Sequence, residues 1–174
     1  QSSQLNNQSG ALLAKNTIQF SGDSVNNTEG YIESGLVDFT LTGDLDNTQG
    51  VIQSGIKLVA NDFINNQGYL LVDRDSTINL SNDLQNQQGV IATQDGKTID
   101  SFSLIANNLT NSGELILDAN SVNFTVSENI NNSGLIQTTE QFTIKANDFA
   151  NNGSVDGNQL TLNIQNQLTN SSAV

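Results

Sequence analysis

The chain has 174 residues with 18 Asp and Glu against five Lys and Arg, and its formal net charge is −13. A surface of this charge repels phosphate backbones and anionic lipids, so nucleic acid is a poor candidate partner, and no apolar run approaches the roughly 20 residues of a membrane span. The sequence has no Cys and no His, which excludes a disulfide framework and removes the commonest metal ligand and general base.

One motif recurs along the chain: an apolar residue, an Asn two places on, and a Gly two or three places after the Asn. Its first copy is Leu5 to Gly10. The later copies occupy residues 25–30, 45–50, 63–68, 84–89, 109–113, 130–134 and 149–153. A ninth start is Leu168, and consecutive starts are 18 to 25 residues apart. Self-similarity at about 20 residues is typical of a solenoid in which each repeat forms one coil.

The residues after each Gly predict two strands per coil. Two places after the Gly lies an aliphatic residue, and two places further a residue that is usually small; this period of two indicates one inward face. The aliphatic positions are Leu12, Ile32, Ile52, Leu70, Ile91, Leu115, Ile136 and Val155. The second strand carries paired apolar positions: Ile18 and Phe20, Phe39 and Leu41, Ile56 and Leu58, Ile78 and Leu80, Phe102 and Leu104, Val122 and Phe124, Phe142 and Ile144, and Leu160 and Leu162.

Stacking of these coils at a strand spacing of about 4.8 Å would join the apolar positions into one continuous core. The predicted fold is therefore an all-β parallel β-helix of about eight coils, and residues 1–174 form a single repeat segment. Because the chain begins inside a repeat and lacks an initiating Met, we expect it to be a fragment of a longer array.

A column of Asn residues explains much of the polar composition. These residues are Asn7, Asn27, Asn47, Asn65, Asn86, Asn111, Asn132, Asn151 and Asn170. An amide both donates and accepts hydrogen bonds, so stacked Asn side chains can form a structural ladder. We expect Asn to adopt the left-handed backbone of a tight corner and the following Gly to take the other strained position. A glycan-acceptor role for matches such as Asn26-Asn27-Thr28 is the alternative.

A carboxylate or amide side chain often precedes the repeat start, as at Asp44, Asp62, Asp83, Asn108, Asn129, Asp148 and Gln167. Capping of turns is the favoured interpretation, and calcium binding is the alternative, although no glycine-rich nonapeptide is present. The pairs Asp44 with Asp46 and Asp73 with Asp75 raise the question of a glycan-cleaving site. Nothing in the sequence beside them indicates a cleft, so we predict no enzyme, no metal site and no cofactor.

One coil is longer than the others, with 25 residues between the starts Leu84 and Leu109. Its extra residues lie near 94–101, where Asp95-Gly96 is a strong turn signal, and we expect a loop or hairpin there. Neutral decoration is the favoured interpretation of this loop. Recognition is the alternative, with Gln94, Asp95, Gly96, Lys97 and Thr98 as the candidate residues. Tyr31 and Tyr69 each follow a Gly and should point outward.

The corner sequences Asn26-Asn27-Thr28-Glu29-Gly30 and Asn65-Asn66-Gln67-Gly68 resemble the filamentous haemagglutinin repeat. Such repeats build the shafts of two-partner-secretion exoproteins, both adhesins and contact-dependent growth inhibition effectors, and the resemblance covers residues 5–170. It implies a right-handed β-helix on the surface of a Gram-negative bacterium, exported unfolded through an outer-membrane transporter as partner. A left-handed hexapeptide helix is the other fold considered, but it requires 18-residue coils in three equal sixes.

The resemblance implies a structural and adhesive shaft that displays distal binding or toxin modules. One alternative is a receptor-binding segment of a contact-dependent inhibition effector, which would contact a receptor on a target cell. A carbohydrate-active β-helix enzyme is a more distant alternative. The family's Asn-Pro-Asn secretion motifs are missing, since the chain has no Pro, so it does not match the secretion domain.

Overall fold

A computed structural model of the chain describes residues 3–171, which form one sheet of twenty strands. In chain order these are β1 Gln4–Asn6, β2 Ala11–Gly22, β3 Ser24–Asn26, β4 Tyr31–Leu41, β5 Leu45–Asp46, β6 Val51–Ala60, β7 Phe63–Ile64, β8 Tyr69–Val72, β9 Ser76–Leu80 and β10 Asp83–Asn86. They continue with β11 Val90–Thr93, β12 Ile99–Ala106, β13 Asn108–Asn111, β14 Glu114–Leu117, β15 Ala119–Val126, β16 Asn129–Asn132, β17 Leu135–Thr138, β18 Gln141–Asn151, β19 Ser154–Asp156 and β20 Gln159–Asn170.

Every strand pairs in parallel with the equivalent strand of a neighbouring coil. The repeat starts are partners in this register, from Leu5 with Val25 to Leu45 with Phe63. The chain is thus an all-β parallel β-solenoid of about eight coils of roughly 20 residues, as the repeat spacing predicted. The right-handed sense stays a prediction. Within residues 3–171 there is no helix that could span a lipid bilayer.

Each coil has three strand faces. The first face carries the repeat starts and ends at the Asn column, as in β10 and β13. The second face follows the Gly and includes β8, β11 and β14. The third face carries the paired apolar positions and includes β9, β12 and β15. In several coils the second and third faces belong to one continuous strand, such as β4.

The core is a continuous column of apolar side chains enclosed by these faces. Phe102, Phe124 and Phe142 are fully buried and stack edge to face through successive coils, with ring centroids 6.4 and 5.0 Å apart. Such aromatic pairs add to the hydrophobic gain of burial. Because each coil buries its inner residues only against its neighbours, stability arises from stacking rather than from any single coil.

The predicted register of the third face is wrong in two coils. Phe20 pairs with Phe39, so the aligned residues of that coil are Val37 and Phe39 rather than Phe39 and Leu41. Ile78 pairs with Leu58, so the preceding position is Ser76 rather than an apolar residue. A shift of two residues keeps every side chain on the same side of the strand, which is why alternation alone did not reveal it.

A further inward column follows the paired positions on the third face. It contains Leu41, Ala60, Leu80, Ala106, Val126 and Ala146, all at most 5% exposed. This column was not predicted from the sequence because it alternates large side chains with Ala. At the C-terminal end the core positions Leu160, Leu162 and Leu168 are 42%, 38% and 49% exposed, since no coil of the described residues covers them.

Candidate functional site

The Asn residues form one buried hydrogen-bonded ladder along the solenoid. Asn7, Asn27, Asn47, Asn65, Asn86, Asn111, Asn132 and Asn151 are all at most 6% exposed. In each, Nδ2 donates to Oδ1 of the Asn in the next coil over 2.7 to 2.9 Å, and the last acceptor is Asn170. All eight bonds point the same way, so the side-chain dipoles align along the stack.

The ladder also ties the corners together, a corner being the residues from the Asn to the Gly. Asn65 Nδ2 lies 3.2 Å from the carbonyl oxygen of Gly68 in its own corner and 3.2 Å from that of Val90 in the next coil. The same pattern recurs at Asn47, with Gly50 and Tyr69. Each amide therefore satisfies buried carbonyl groups as well as its neighbour, which is what buried polar atoms require.

The expectation that Asn and Gly share the strained corner backbone is wrong. In five corners the left-handed residue is the one before the Gly: Ser9, Glu29, Gln49, Gln67 and Gln88, with φ of 51 to 56°. The Gly is required for a different reason. A Cβ on Gly89 would overlap the backbone oxygen of Asn65 in the preceding coil. In the last three coils, where one corner residue fewer separates Asn from Gly, no described residue before the Gly has positive φ.

The acidic column before the repeat start caps backbone groups of the next coil. Asp62 Oδ1 accepts from the backbone N–H of Asp83 at 2.8 Å, and Asp148 Oδ1 accepts from that of Gln167 at 3.0 Å. Asp44 Oδ1 accepts from Asp62 N–H in the same manner, at 3.2 Å. These bonds stabilise the carboxylates without a cation. Within residues 3–171 no group of three or more His, Cys, Asp or Glu side chains could hold a metal ion.

The paired acids that raised the question of catalysis also have structural partners. Asp73 forms an ion pair with Arg74 at 3.1 Å, and the hydrogen bond to Asp73 raises the pKa of the Arg74 guanidinium. Asp75 Oδ1 accepts from the backbone N–H groups of Asp100 and Ser101 at 2.9 and 3.0 Å. Asp75 is thereby engaged in holding the next coil.

The residues from Gln94 to Lys97 form one tight turn rather than a hairpin. Lys97 N–H donates to the Gln94 carbonyl oxygen at 3.0 Å, and Gly96 has φ of 71°. The left-handed residue at the third position is typical of a type II turn. Residues 94–98 lie outside the strands, whereas Ile99 begins β12 and is 3% exposed. The predicted loop boundary of 94–101 is therefore too wide at its C-terminal end.

The two tyrosines lie in one outward column of the second face, with Val51 between them. The Tyr31 hydroxyl donates to Glu33 Oε2 at 2.8 Å, and this hydrogen bond raises the pKa of Tyr31. Tyr69 is 47% exposed and lies near the Gln94 turn, on the same surface of the solenoid. The structure thus brings together one outward tyrosine and the candidate recognition turn, while Tyr31 is two coils away.

Several polar side chains that face the interior were not predicted from the sequence. Ser34 and Ser54, in the column of small residues, share a 3.0 Å hydrogen bond between their hydroxyls. Ser76 Oγ accepts from the backbone N–H of Ile56 at 3.1 Å and donates to the Arg74 carbonyl oxygen. Small hydroxyl side chains in an otherwise apolar column are the signal that could have located these bonds.

Comparison with known proteins identifies the repeat. A family model described as Haemagglutinin repeat matches residues 1–49, 51–123 and 105–172. No curated protein and no solved structure matches the chain. The three matched segments together cover nearly the whole sequence, and they include the Asn of every corner. The chain belongs to the haemagglutinin repeat family.

Proposed function

We propose that this segment is the structural and adhesive shaft of a secreted, cell-surface exoprotein, and that it holds distal binding or toxin modules away from the cell. The observation that carries the proposal is uniformity. The Asn ladder repeats one hydrogen bond through every described coil, and the core runs through all of them without interruption. Such an object resists bending because each coil is held to the next by backbone, amide and apolar contacts together.

A non-enzymatic role agrees with the family and with the chemistry of the described residues. Asp73 is paired with Arg74, and Asp75 is bonded to backbone N–H groups of the next coil. Catalytic carboxylates in glycan cleavage need to face a bound sugar from two sides. Asp73 and Asp75 instead contact Arg74 and the backbone of the next coil.

We propose further that the parent protein reaches the surface of a Gram-negative bacterium through an outer-membrane two-partner-secretion transporter. The family membership supports this route, and so does the absence of Cys from the sequence. A disulfide would have to be reduced before the chain could thread through a narrow pore. A fold built of successive coils, each stacking on the one before, is also suited to a chain that emerges gradually.

An exchange of the segment within the full-length exoprotein tests the shaft role. Replacing these coils with the same number of coils from another haemagglutinin repeat protein should preserve surface display and attachment to target cells, because a shaft supplies only length and rigidity. Surface display is measured by antibody labelling and attachment by counting bound cells. Normal display with lost attachment would contradict the shaft role and assign recognition to this segment.

The second candidate function is recognition of a target-cell receptor by the segment, as in a contact-dependent inhibition effector. The observation favouring it is the turn at Gln94 to Thr98, which interrupts the otherwise uniform outer surface. Deletion of residues 94–97 tests it, because this removes the turn and retains the buried Ile99. For a passive shaft the deletion variant should fold and attach normally. A folded variant that no longer attaches would favour the receptor-binding role.

A further inference from the structure

A shallow groove of about 990 Å³ crosses the outer surface of the second face. Its floor is made by Leu71, Val90 and Ala92, which are half-buried and lie side by side in the register of β8 and β11. Tyr69 stands at one side of the floor, and Gln94 and Asp95 form a wall at the other. The groove is open to solvent along its length, so it suits an extended ligand rather than a small molecule that must be enclosed.

The wall of the groove is held firmly to its floor. Gln94 N–H donates to the Val72 carbonyl oxygen at 2.8 Å, and Gln94 Nε2 donates to the Leu71 carbonyl oxygen at 3.3 Å. The turn closes through Lys97 N–H and the Gln94 carbonyl oxygen. Because these bonds fix the turn before a ligand arrives, little ordering would be lost on binding.

Tyr69 presents an open aromatic surface to the groove. Tyr69 is 47% exposed, and its hydroxyl has no hydrogen-bond partner among residues 3–171. Tyr31, in the same column, differs because its hydroxyl is bonded to Glu33 and lies 3.3 Å from Gln53 Oε1. An aromatic ring with one exposed apolar side and a free polar tip is a common anchor for ligands that have both kinds of surface.

Around this apolar floor lie side chains with spare hydrogen-bonding capacity. Gln88 Oε1 accepts from Gln67 Nε2 at 3.0 Å, which leaves the Gln88 amide N–H groups for a ligand. Gln94 uses its Nε2 and keeps Oε1. Asp95 and Glu114 add exposed carboxylates, which form strong hydrogen bonds with hydroxyl donors. The groove therefore offers donors, acceptors and an aromatic face within one surface.

Charge and backbone pairing exclude the other extended ligands. An anionic chain or an anionic lipid headgroup would be repelled by Asp95, Glu114 and the net charge of −13. A peptide strand that adds to a sheet needs free backbone groups. Those of β8, β11 and β14 are used between the coils, where Tyr69 pairs with Val90 and Val90 with Glu114. A neutral glycan has apolar C–H faces and many hydroxyls. It needs neither a positively charged surface nor free backbone groups of a strand.

We propose that this groove binds a neutral oligosaccharide, with Tyr69 stacking on a sugar face and Asp95 and Glu114 accepting from hydroxyls. The proposal goes beyond the shaft role and does not depend on it, since a rigid shaft can carry the groove on its side. It gives the 94–98 turn a specific purpose, because Gln94 and Asp95 of this turn supply the wall of the groove.

Isothermal titration calorimetry of the segment with maltopentaose, cellopentaose, chitopentaose and a sulfated heparin pentasaccharide tests this proposal. We expect at least one neutral probe to bind and the sulfated probe not to bind. Tyr69→Ala should weaken the neutral probe by about tenfold or more, equivalent to about 1.4 kcal/mol. The matched control Tyr31→Ala lies in the same outward column but outside the groove, and it should leave affinity within about twofold.

Asp95→Ala, in the exposed turn, serves as a second variant whose folding does not depend on packing, and it should weaken the same probe by at least about threefold. Far-ultraviolet circular dichroism verifies that each variant is folded. Failure of all three neutral probes to bind, preference for the sulfated probe, or an equal loss in Tyr31→Ala would overturn the proposal. The coil-exchange experiment measures attachment of the whole exoprotein and the calorimetry measures binding of a sugar by this segment, so the two proposals fail separately.

Discussion

Replacing Asn86 with Ala is the most informative perturbation of the ladder, because Asn86 lies in a central coil and is completely buried. Its Nδ2 donates to Asn111 Oδ1 at 2.8 Å and to the Glu114 carbonyl oxygen at 3.2 Å. Its Oδ1 accepts from Asn65 Nδ2 at 2.9 Å. The substitution removes all three hydrogen bonds and leaves the facing groups of two neighbouring coils without this partner.

The expected loss follows from those groups. Asn65 Nδ2 keeps its bonds to the carbonyl oxygens of Gly68 and Val90, so its penalty is small. Asn111 Oδ1 loses the bond from Asn86 and stays buried, and an unsatisfied buried acceptor costs about 1–3 kcal/mol. With the lost hydrogen bond to the Glu114 carbonyl oxygen contributing about 1 kcal/mol more, we expect the free energy of unfolding to fall by about 2–4 kcal/mol.

Urea denaturation followed by far-ultraviolet circular dichroism measures this loss, with Gln87→Ala as the matched control. Gln87 is the next residue in the same corner, but its side chain is exposed. We expect the control to change the free energy of unfolding by no more than about 0.5 kcal/mol. A loss in Asn86→Ala that is equal to the loss in Gln87→Ala would refute the ladder as a source of stability.

Three other substitutions examine the core, the corner and the outward tyrosine. Phe102→Ala should lower the free energy of unfolding by about 3–5 kcal/mol through cavity formation. Ile105 is 45% exposed on the same strand, so Ile105→Ala should lower it much less. Similar urea midpoints for the two variants would show that the core is misassigned. Gly89→Ala should lower the urea midpoint of unfolding more than Gly96→Ala does. A Cβ at Gly89 overlaps a backbone oxygen, whereas a Cβ at Gly96 meets no atom within 4 Å. The opposite order of the two midpoints would contradict the corner geometry. The hydrogen bond to Glu33 raises the pKa of Tyr31, so this pKa should fall towards its ordinary value in Glu33→Gln. A spectrophotometric titration in a Tyr69→Phe background measures it, because Tyr31 is then the sole tyrosine of the sequence. An unchanged pKa would rule out that hydrogen bond.

The repeat and the coil were predictable because a solenoid places equivalent residues of successive repeats in direct contact. Leu84 meets Leu109 in the same way as Leu109 meets Ile130, so every coil faces the same packing requirement and shows it in its sequence. The Asn column was predictable for the same reason: Asn86 is bonded to Asn65 before it and to Asn111 after it.

The register of the third face was harder to predict, since Val37, Phe39 and Leu41 are all apolar and all point inward. Only the pairing with the neighbouring coil selects the correct partners, and this is not a local property of the strand. The left-handed corner residues were missed because Glu29 and Gln67 have no special preference for positive φ. The left-handed residue occurs in the five corners that have two residues between Asn and Gly, and not in the three described corners that have one.

The groove could not be predicted from the sequence because its parts come from different coils. Tyr69, Val90 and Gln94 meet only after the coils have stacked in the observed register. The sequence did indicate the turn, through Asp95-Gly96, and the outward tyrosine, through its place after Gly68. The sequence did not indicate that Tyr69 and the turn would lie beside each other.

The coils stack in parallel register along one axis, and a distance measurement tests this arrangement most directly. Because the chain has no Cys, spin labels can be placed uniquely by cysteine substitution. Gln19, Asn123 and Thr161 are exposed members of one outward column on the third face. Asn123 and Thr161 lie five and seven strand steps from Gln19, which corresponds to about 24 and 34 Å at about 4.8 Å per step.

Double electron–electron resonance on the two pairs, Gln19 with Asn123 and Gln19 with Thr161, gives these distances in solution. The stacked solenoid predicts narrow distributions whose centres differ by about 10 Å, two strand spacings of about 4.8 Å. Broad distributions, or equal distances for the two pairs, would contradict the solenoid.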